Sequence, residues 1–148
     1  MRALPALLLS LVVAAAFAAP AETRQSPSGG FRITVTNWFT CATCTTIRGV
    51  VAGDVVGMLG GAVVALGPAA KGVAYQTLHD RFVVRAARGS RSFVALVNGR
   101  RNLETGTAVL DGLVTDGWQK GAMVHVELRP IACTRSARGC YTGTIRVR

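Results

Sequence analysis

Apolar and polar residues alternate along most of the chain after residue 30, and this period of two limits the possible folds more than any other feature. Phe31, Ile33, Val35 and Phe39 share one parity, and Asn37 interrupts their apolar face. Successive side chains of a β-strand point to opposite sides, so the alternation predicts strands with one face in a core. Further strand-like segments are 82–86, 92–97 (apolar on both faces), 107–115, 122–129 and 141–147.

Residues typical of turns separate these segments. Arg88–Arg91 and Asp116–Gly121 are Gly-containing turns, Asn98-Gly99 opens a longer loop that ends at Gly106, and another loop joins Cys133 to Cys140. Strands at this spacing, without intervening helices, predict an all-β fold, a single antiparallel meander domain over residues 31–148. The sheet either closes as a small barrel or folds as a sandwich.

The strand pattern of the C-terminal half resembles that of small secreted calycin or allene-oxide-cyclase-type barrels. The resemblance covers the pattern alone, carries no motif and transfers no active site. It implies a small closed barrel, and a barrel of eight strands is wide enough to hold one small ligand.

The first 21 residues have the features of a cleavable signal peptide. Arg2 provides the positive charge, an uncharged apolar run follows, and small residues allow cleavage after Ala18 or Ala21. The run is shorter than the ~20 residues of a membrane-spanning helix. We therefore predict a signal peptide over residues 1–21, a flexible mature N-terminus over residues 22–30, and a secreted, periplasmic or extracellular protein.

Four cysteines in an exported chain predict disulfides. Local pairing of Cys41 with Cys44 and of Cys133 with Cys140 is favoured, because the second pair would bridge the two arms of one hairpin. Cross-pairing of the two groups is the alternative. A redox motif at Cys41–Cys44 is disfavoured because Thr45-Thr46-Ile47 is a poor start for a helix.

The segment 47–70 is almost wholly apolar and has glycine at every fourth residue from Gly49 to Gly61. On a helix these glycines form a ridge that packs helices in membranes. On a strand they share one face and indicate close approach of a neighbouring strand. The strand is favoured, because the segment is rich in valine and Asp54 in its middle would be costly in a bilayer.

The chain is strongly basic, with 17 Lys and Arg residues against 7 Asp and Glu and a net charge of +10. Residues 81–148 carry twelve of these bases and four of the acids. Such a charge favours an anionic polymer or membrane surface as partner, and no specific nucleic-acid motif is present. A GC-rich coding sequence produces the same excess of Arg, so charge alone does not establish a partner.

The basic residues have a predicted place in the fold. In consecutive antiparallel hairpins the loops alternate between the two ends, so the loops 98–106 and 134–139 share one end. Arginine offers a two-pronged donor pattern for carboxylate or phosphate, and the candidate anion-binding residues at that end are Arg100, Arg101, Arg135 and Arg138. Trp118, at the other end, either projects to contact a ligand or a membrane interface, or folds back over the opening of the barrel.

No catalytic constellation, cofactor fingerprint or metal-ligand cluster occurs in the sequence, so no catalytic, cofactor or metal residue is predicted. We expect an exported, non-enzymatic β-barrel that binds a small apolar ligand inside or an anionic surface outside. The alternative is a membrane-active or toxin-like secreted protein that uses the segment 47–70.

Overall fold

The computed structural model describes residues 30–42, 44–68, 72–136 and 139–148. Eight antiparallel strands follow one another in sequence order and close into a barrel through pairing of the last with the first. They are β1 (Phe31–Phe39), β2 (Thr46–Gly53), β3 (Gly57–Leu66), β4 (Tyr75–Ala86), β5 (Phe93–Asn102), β6 (Ala108–Gly117), β7 (Met123–Ile131) and β8 (Cys140–Val147).

This architecture confirms the predicted all-β meander, and of the two arrangements left open it is the closed barrel. The predicted signal peptide, residues 1–21, lies outside the described residues. So does the predicted mature N-terminus, residues 22–30, except for Gly30.

Inward-facing side chains from all eight strands form one hydrophobic core. Phe82, Ile33 and Leu110 are large examples that are at most 1 % exposed. Complete burial of each such side chain stabilises the fold by roughly 1.5–3 kcal/mol. The alternation in the sequence therefore marks the inward face of each strand.

Glycine occupies inward positions where neighbouring strands come very close. A Cβ on Gly143 would overlap the carbonyl oxygen of Glu127, and a Cβ on Gly99 would overlap that of Val109. Gly99 is therefore part of a strand, and the predicted loop from residue 98 to 106 was wrong in its first half. β5 continues to Asn102, which pairs with Tyr75 on β4.

The apolar segment after residue 47 forms the hairpin β2–β3, so its predicted strand structure is confirmed and the helical alternative is wrong. Its glycines lie on two strands rather than one. Gly53, with a φ of 105°, ends β2, and the turn that follows reverses the chain. Asp54 in that turn accepts a hydrogen bond of 2.7 Å from the backbone N–H of Arg32.

Within the described part of the chain, no helix is long and apolar enough to cross a membrane.

The loops divide between two ends of the barrel. We call one the open end, where β1, β3, β5 and β7 end, and the other the closed end, formed by the loops 54–56, 87–92 and 118–122.

Both disulfides lie at the open end. Cys41 pairs with Cys44 at a Cα–Cα distance of 5.0 Å, and Cys133 pairs with Cys140 at 5.8 Å. The predicted local pairing is confirmed. Two disulfides in one small domain are typical of an oxidising, extracellular environment.

Candidate ligand site at the open end of the barrel

The closed end is sealed by aromatic side chains. The ring of Trp118 stacks on Phe31 with 4.4 Å between centroids, and Phe31 meets Phe93 edge to face at 5.7 Å. The guanidinium of Arg91 lies 5.2 Å from the centre of the Trp118 ring. Of the two positions expected for Trp118, the structure shows the one folded back over the barrel.

The open end has polar side chains inside the barrel instead. Asn37, Gln76 and Asp80 point inward and are buried, with exposures of 3 %, 7 % and 7 %. Arg101 joins them from β5. Three of these residues, all but Gln76, line a cavity of about 50 Å³, whose full lining is Asn37, Phe39, Ile47, Val63, Leu66, Leu78, Asp80, Arg101, Ala108, Leu128 and Tyr141.

Strand register explains how these residues meet. Asn37 has the same parity on β1 as Ile33 and Val35, and Asp80 has the same parity on β4 as Phe82. Each polar residue therefore occupies the next inward position of its strand, on the side nearer the open end, after Val35 on β1 and after Phe82 on β4. Arg101 lies near the end of β5, opposite Gln76 and two inward positions beyond Val97, the residue that pairs with Asp80.

Three polar atoms in this cavity have no hydrogen-bond partner among the described residues. They are Asn37 Oδ1, Asp80 Oδ1 and Arg101 Nε, and all three are shielded from solvent. Asp80 and Arg101 line the same cavity without forming an ion pair. Each buried, unpartnered polar group lowers the free energy of unfolding by about 1–3 kcal/mol. Three such groups in one cavity therefore destabilise the fold substantially.

Gln76 differs from these three, because its side-chain N–H donates a 2.9 Å hydrogen bond to the carbonyl of Gly67. It fastens the loop after β3 to the wall of the barrel. Its role at the open end is therefore structural.

Burial raises the pKa of Asp80 from 3.8 to about 6. The cause is desolvation of the carboxylate. At neutral pH the group is still mostly ionised, and the fold carries a buried negative charge. A carboxyl group perturbed in this way inside a cavity is a common marker of a functional site.

The three predicted arginines that the structure describes do not form one cluster. Arg100 and Arg101 are adjacent on β5 and point to opposite faces of the sheet, outward and inward. Arg135 lies 4.9 Å above the ring of Trp38 on β1, across the barrel from β5. Arg138 lies outside the described residues.

A second group of ionisable residues lies on the outer wall, away from the cavity. His125 contacts Asp111 through Nδ1 at 2.7 Å and Glu127 through Nε2 at 3.1 Å. These two hydrogen bonds raise the pKa of His125. Glu127 also pairs with Arg146 at 3.5 Å. Exposed networks of this kind contribute little free energy, and among the described residues no group of three His, Cys, Asp or Glu could hold a metal ion.

Sequence reasoning missed Asp80 and Asn37 as site residues. Asp80 was expected just before a strand, whereas β4 begins five residues earlier, at Tyr75. Extending the alternation backwards from Phe82 through Leu78 would have placed Asp80 on the inward face. The interruption of the apolar face by Asn37 was the second visible signal.

Comparison with known proteins adds no relative: no family model, no curated protein and no solved structure matches this chain. The closed barrel that the resemblance to calycin-type proteins implies is present, but no match to a protein family supports a relationship. The function must therefore be inferred from the residues of the open end.

Proposed function

We propose that this protein is an exported, non-enzymatic binding protein whose open end takes the polar head of a small, mostly apolar molecule. The observation that carries the proposal is the convergence of three buried, unpartnered polar atoms on one cavity. A ligand that pairs with them removes a cost that the free protein bears.

The size of the cavity limits how much of the ligand enters. About 50 Å³ accommodates roughly three or four waters, or a head group of similar size, since one water needs roughly 10–15 Å³ of such space. Below it the barrel is filled by Phe82 and its neighbours. The apolar body of the ligand must therefore lie at the rim, where Leu66 is 47 % exposed.

The unpartnered atoms define the chemistry of the head. Arg101 Nε–H offers a donor, whereas Asn37 Oδ1 and ionised Asp80 Oδ1 offer acceptors. The complementary head carries both a donor and an acceptor, as a carboxamide or a hydroxyl group does.

The proposal is tested by titrating hexanamide, hexan-1-ol and hexane into the protein and following backbone amide chemical shifts. The first two should shift the amides of Asn37, Asp80 and Arg101 in a saturable manner. Hexane, which has the same body without a head, should shift them far less. Shifts that are equal for all three probes, or that map to the closed end, would contradict the proposal.

Neighbouring arginines provide a matched pair of variants. Arg101→Met should weaken hexanamide binding at least tenfold, because a lost charge-assisted hydrogen bond is worth about 1.5–3 kcal/mol. Arg100→Met removes the same charge from the outward face of the same strand and should leave Kd unchanged within about twofold. Equal losses in both variants would mean that net charge, rather than the cavity, controls binding.

A further inference from the structure

The outer wall of the barrel carries a groove along β3, between β2 and β4. Its floor is low because the outward residues Gly60 and Ala62 are small. The groove has a volume of about 1110 Å³ and extends from Thr40 near the open end to Ala87 near the closed end. It lies outside the sheet and shares no polar residue with the cavity at the open end.

Arginines stand on both sides of this floor. Arg48 on β2 lies directly opposite Gly60, and Gly60 lies opposite Val83 on β4. Arg81 and Arg85 flank Val83 on the same outward face, about 13 Å apart at ~3.3 Å per residue. Arginines of β2 and β4 therefore flank the part of β3 around Gly60, where the space above the sheet is open.

The charge of the groove is not compensated. All three arginines are exposed, and the described residues that line the groove include no Asp or Glu. The salt bridges of the described chain lie elsewhere, around His125 and Glu127. An elongated groove with positive charge on both sides favours an extended anionic chain.

We propose that this groove binds an acidic polysaccharide through its carboxylate groups. Arginine pairs with a carboxylate through two parallel hydrogen bonds, which suits acidic groups repeated along a chain. Single-stranded nucleic acid fits less well, because its bases need aromatic platforms, and the floor is formed by Met58, Gly60, Ala62 and Val83. Among the described residues that line the groove, Trp38 is the one aromatic side chain, and Arg135 lies over its ring.

The first test compares two triple variants of equal net charge by calorimetric titration with polygalacturonate. Replacing Arg48, Arg81 and Arg85 by Ser should raise Kd at least tenfold. Replacing the exposed residues Arg100, Arg129 and Arg148, none of which lines the groove, by Ser should raise it less than threefold. Equal increases would overturn the proposal, since bulk charge alone would then explain binding.

A second test alters the floor and leaves the arginines in place. A Cβ at Gly60 meets nothing within 4 Å, so larger residues fit there without displacing the backbone. Gly60→Glu sets a carboxylate among the three guanidiniums and should weaken binding at least tenfold. Gly60→Gln has nearly the same shape without the charge and should weaken it several-fold less. Wild-type affinity in Gly60→Glu would overturn the proposal.

Two further ligands test the identity of the occupant. A single-stranded oligonucleotide and vesicles of phosphatidylglycerol should each bind more weakly than polygalacturonate, and with the same Kd in both triple variants. If either ligand binds more tightly and loses affinity only in the groove variant, the polysaccharide assignment is wrong. Circular dichroism melting of every variant establishes that the barrel is intact.

Discussion

The two ends of this barrel are built from the same strands but are stabilised in different ways. At the closed end Trp118 stacks on Phe31 and completes the core. At the open end two disulfides hold the loops, while Asn37 and Asp80 keep unpartnered oxygens inside the sheet. The closed end is thus stabilised by close packing. The open end instead contains buried polar atoms without hydrogen-bond partners, which a bound ligand would supply. Residues that do not fit the stabilising pattern of their surroundings are common at functional sites.

The largest difference should appear when one tryptophan is removed from each end. Trp118→Ala removes a partly buried ring that packs against the core and should lower the free energy of unfolding by about 3 kcal/mol, the lower end of the range for loss of a large aromatic ring. Trp38→Ala removes an outward-facing ring near the open end and should lower it by less than about 1 kcal/mol. Urea denaturation followed by circular dichroism measures both values. Equal losses would show that the ends do not differ in packing as described.

Asp80 should make the open end a pH-dependent source of instability. Its folded pKa, about 6, lies above the ordinary 3.8, so the neutral carboxyl is favoured in the fold. The contribution of Asp80 to the free energy of unfolding is most favourable below about pH 4 and is lost as pH rises through about 6. At neutral pH this loss amounts to about 3 kcal/mol. Asp80→Asn should therefore raise the free energy of unfolding at pH 7 by up to about 3 kcal/mol and change it little at pH 4.

The control for this prediction is Asp116→Asn, which changes an exposed carboxyl near the closed end. It should alter stability by no more than about 0.5 kcal/mol at either pH. If Asp80→Asn destabilises the protein at pH 7, Asp80 has a partner that stabilises the fold, and the interpretation of the cavity is wrong.

The smallest effect should come from filling space. Ala108 lines the open-end cavity, whereas Ala95 is 1 % exposed in the packed part of the barrel. Ala95→Leu should cost about 1–3 kcal/mol through overpacking. Ala108→Leu should cost less than about 1 kcal/mol, because its methyl groups enter existing space, and it should also weaken hexanamide binding. Thermal melting and the amide-shift titration measure the two effects, and a similar cost at both positions would mean that the open end is already full.

Much of the fold follows from short-range regularities in the sequence. The alternation beginning at Phe31 and the one ending at Val147 predict two strands that the structure pairs with each other. The spacing of Cys133 and Cys140 predicts their disulfide, since a loop of this length brings two strand ends together. Closure into a barrel was less predictable, because it depends on the coiling of all eight strands.

The errors occurred where a residue has two physical uses. Asn98-Gly99 is typical of a turn, but Gly99 is needed on β5 so that β6 can approach. Gly53 is one of the glycines that recur at every fourth residue, yet it adopts a positive φ at the end of β2. Arg100 and Arg101 were grouped because they are neighbours in sequence, but neighbouring residues of a strand point to opposite faces of the sheet. The inward site depends on contacts between distant strands, which a linear pattern does not contain.

Strand order also determines the sequence in which the molecule can assemble. Every pair of adjacent strands is also adjacent in the chain, except β8 and β1. Seven of the eight pairings are therefore local and can form early, whereas closure has to wait for the last strand. A chain that emerges N-terminus first keeps an unpaired edge on β1 throughout synthesis, which is its most aggregation-prone period. The disulfides span separations of only 3 and 7 residues, so neither has to wait for that final step.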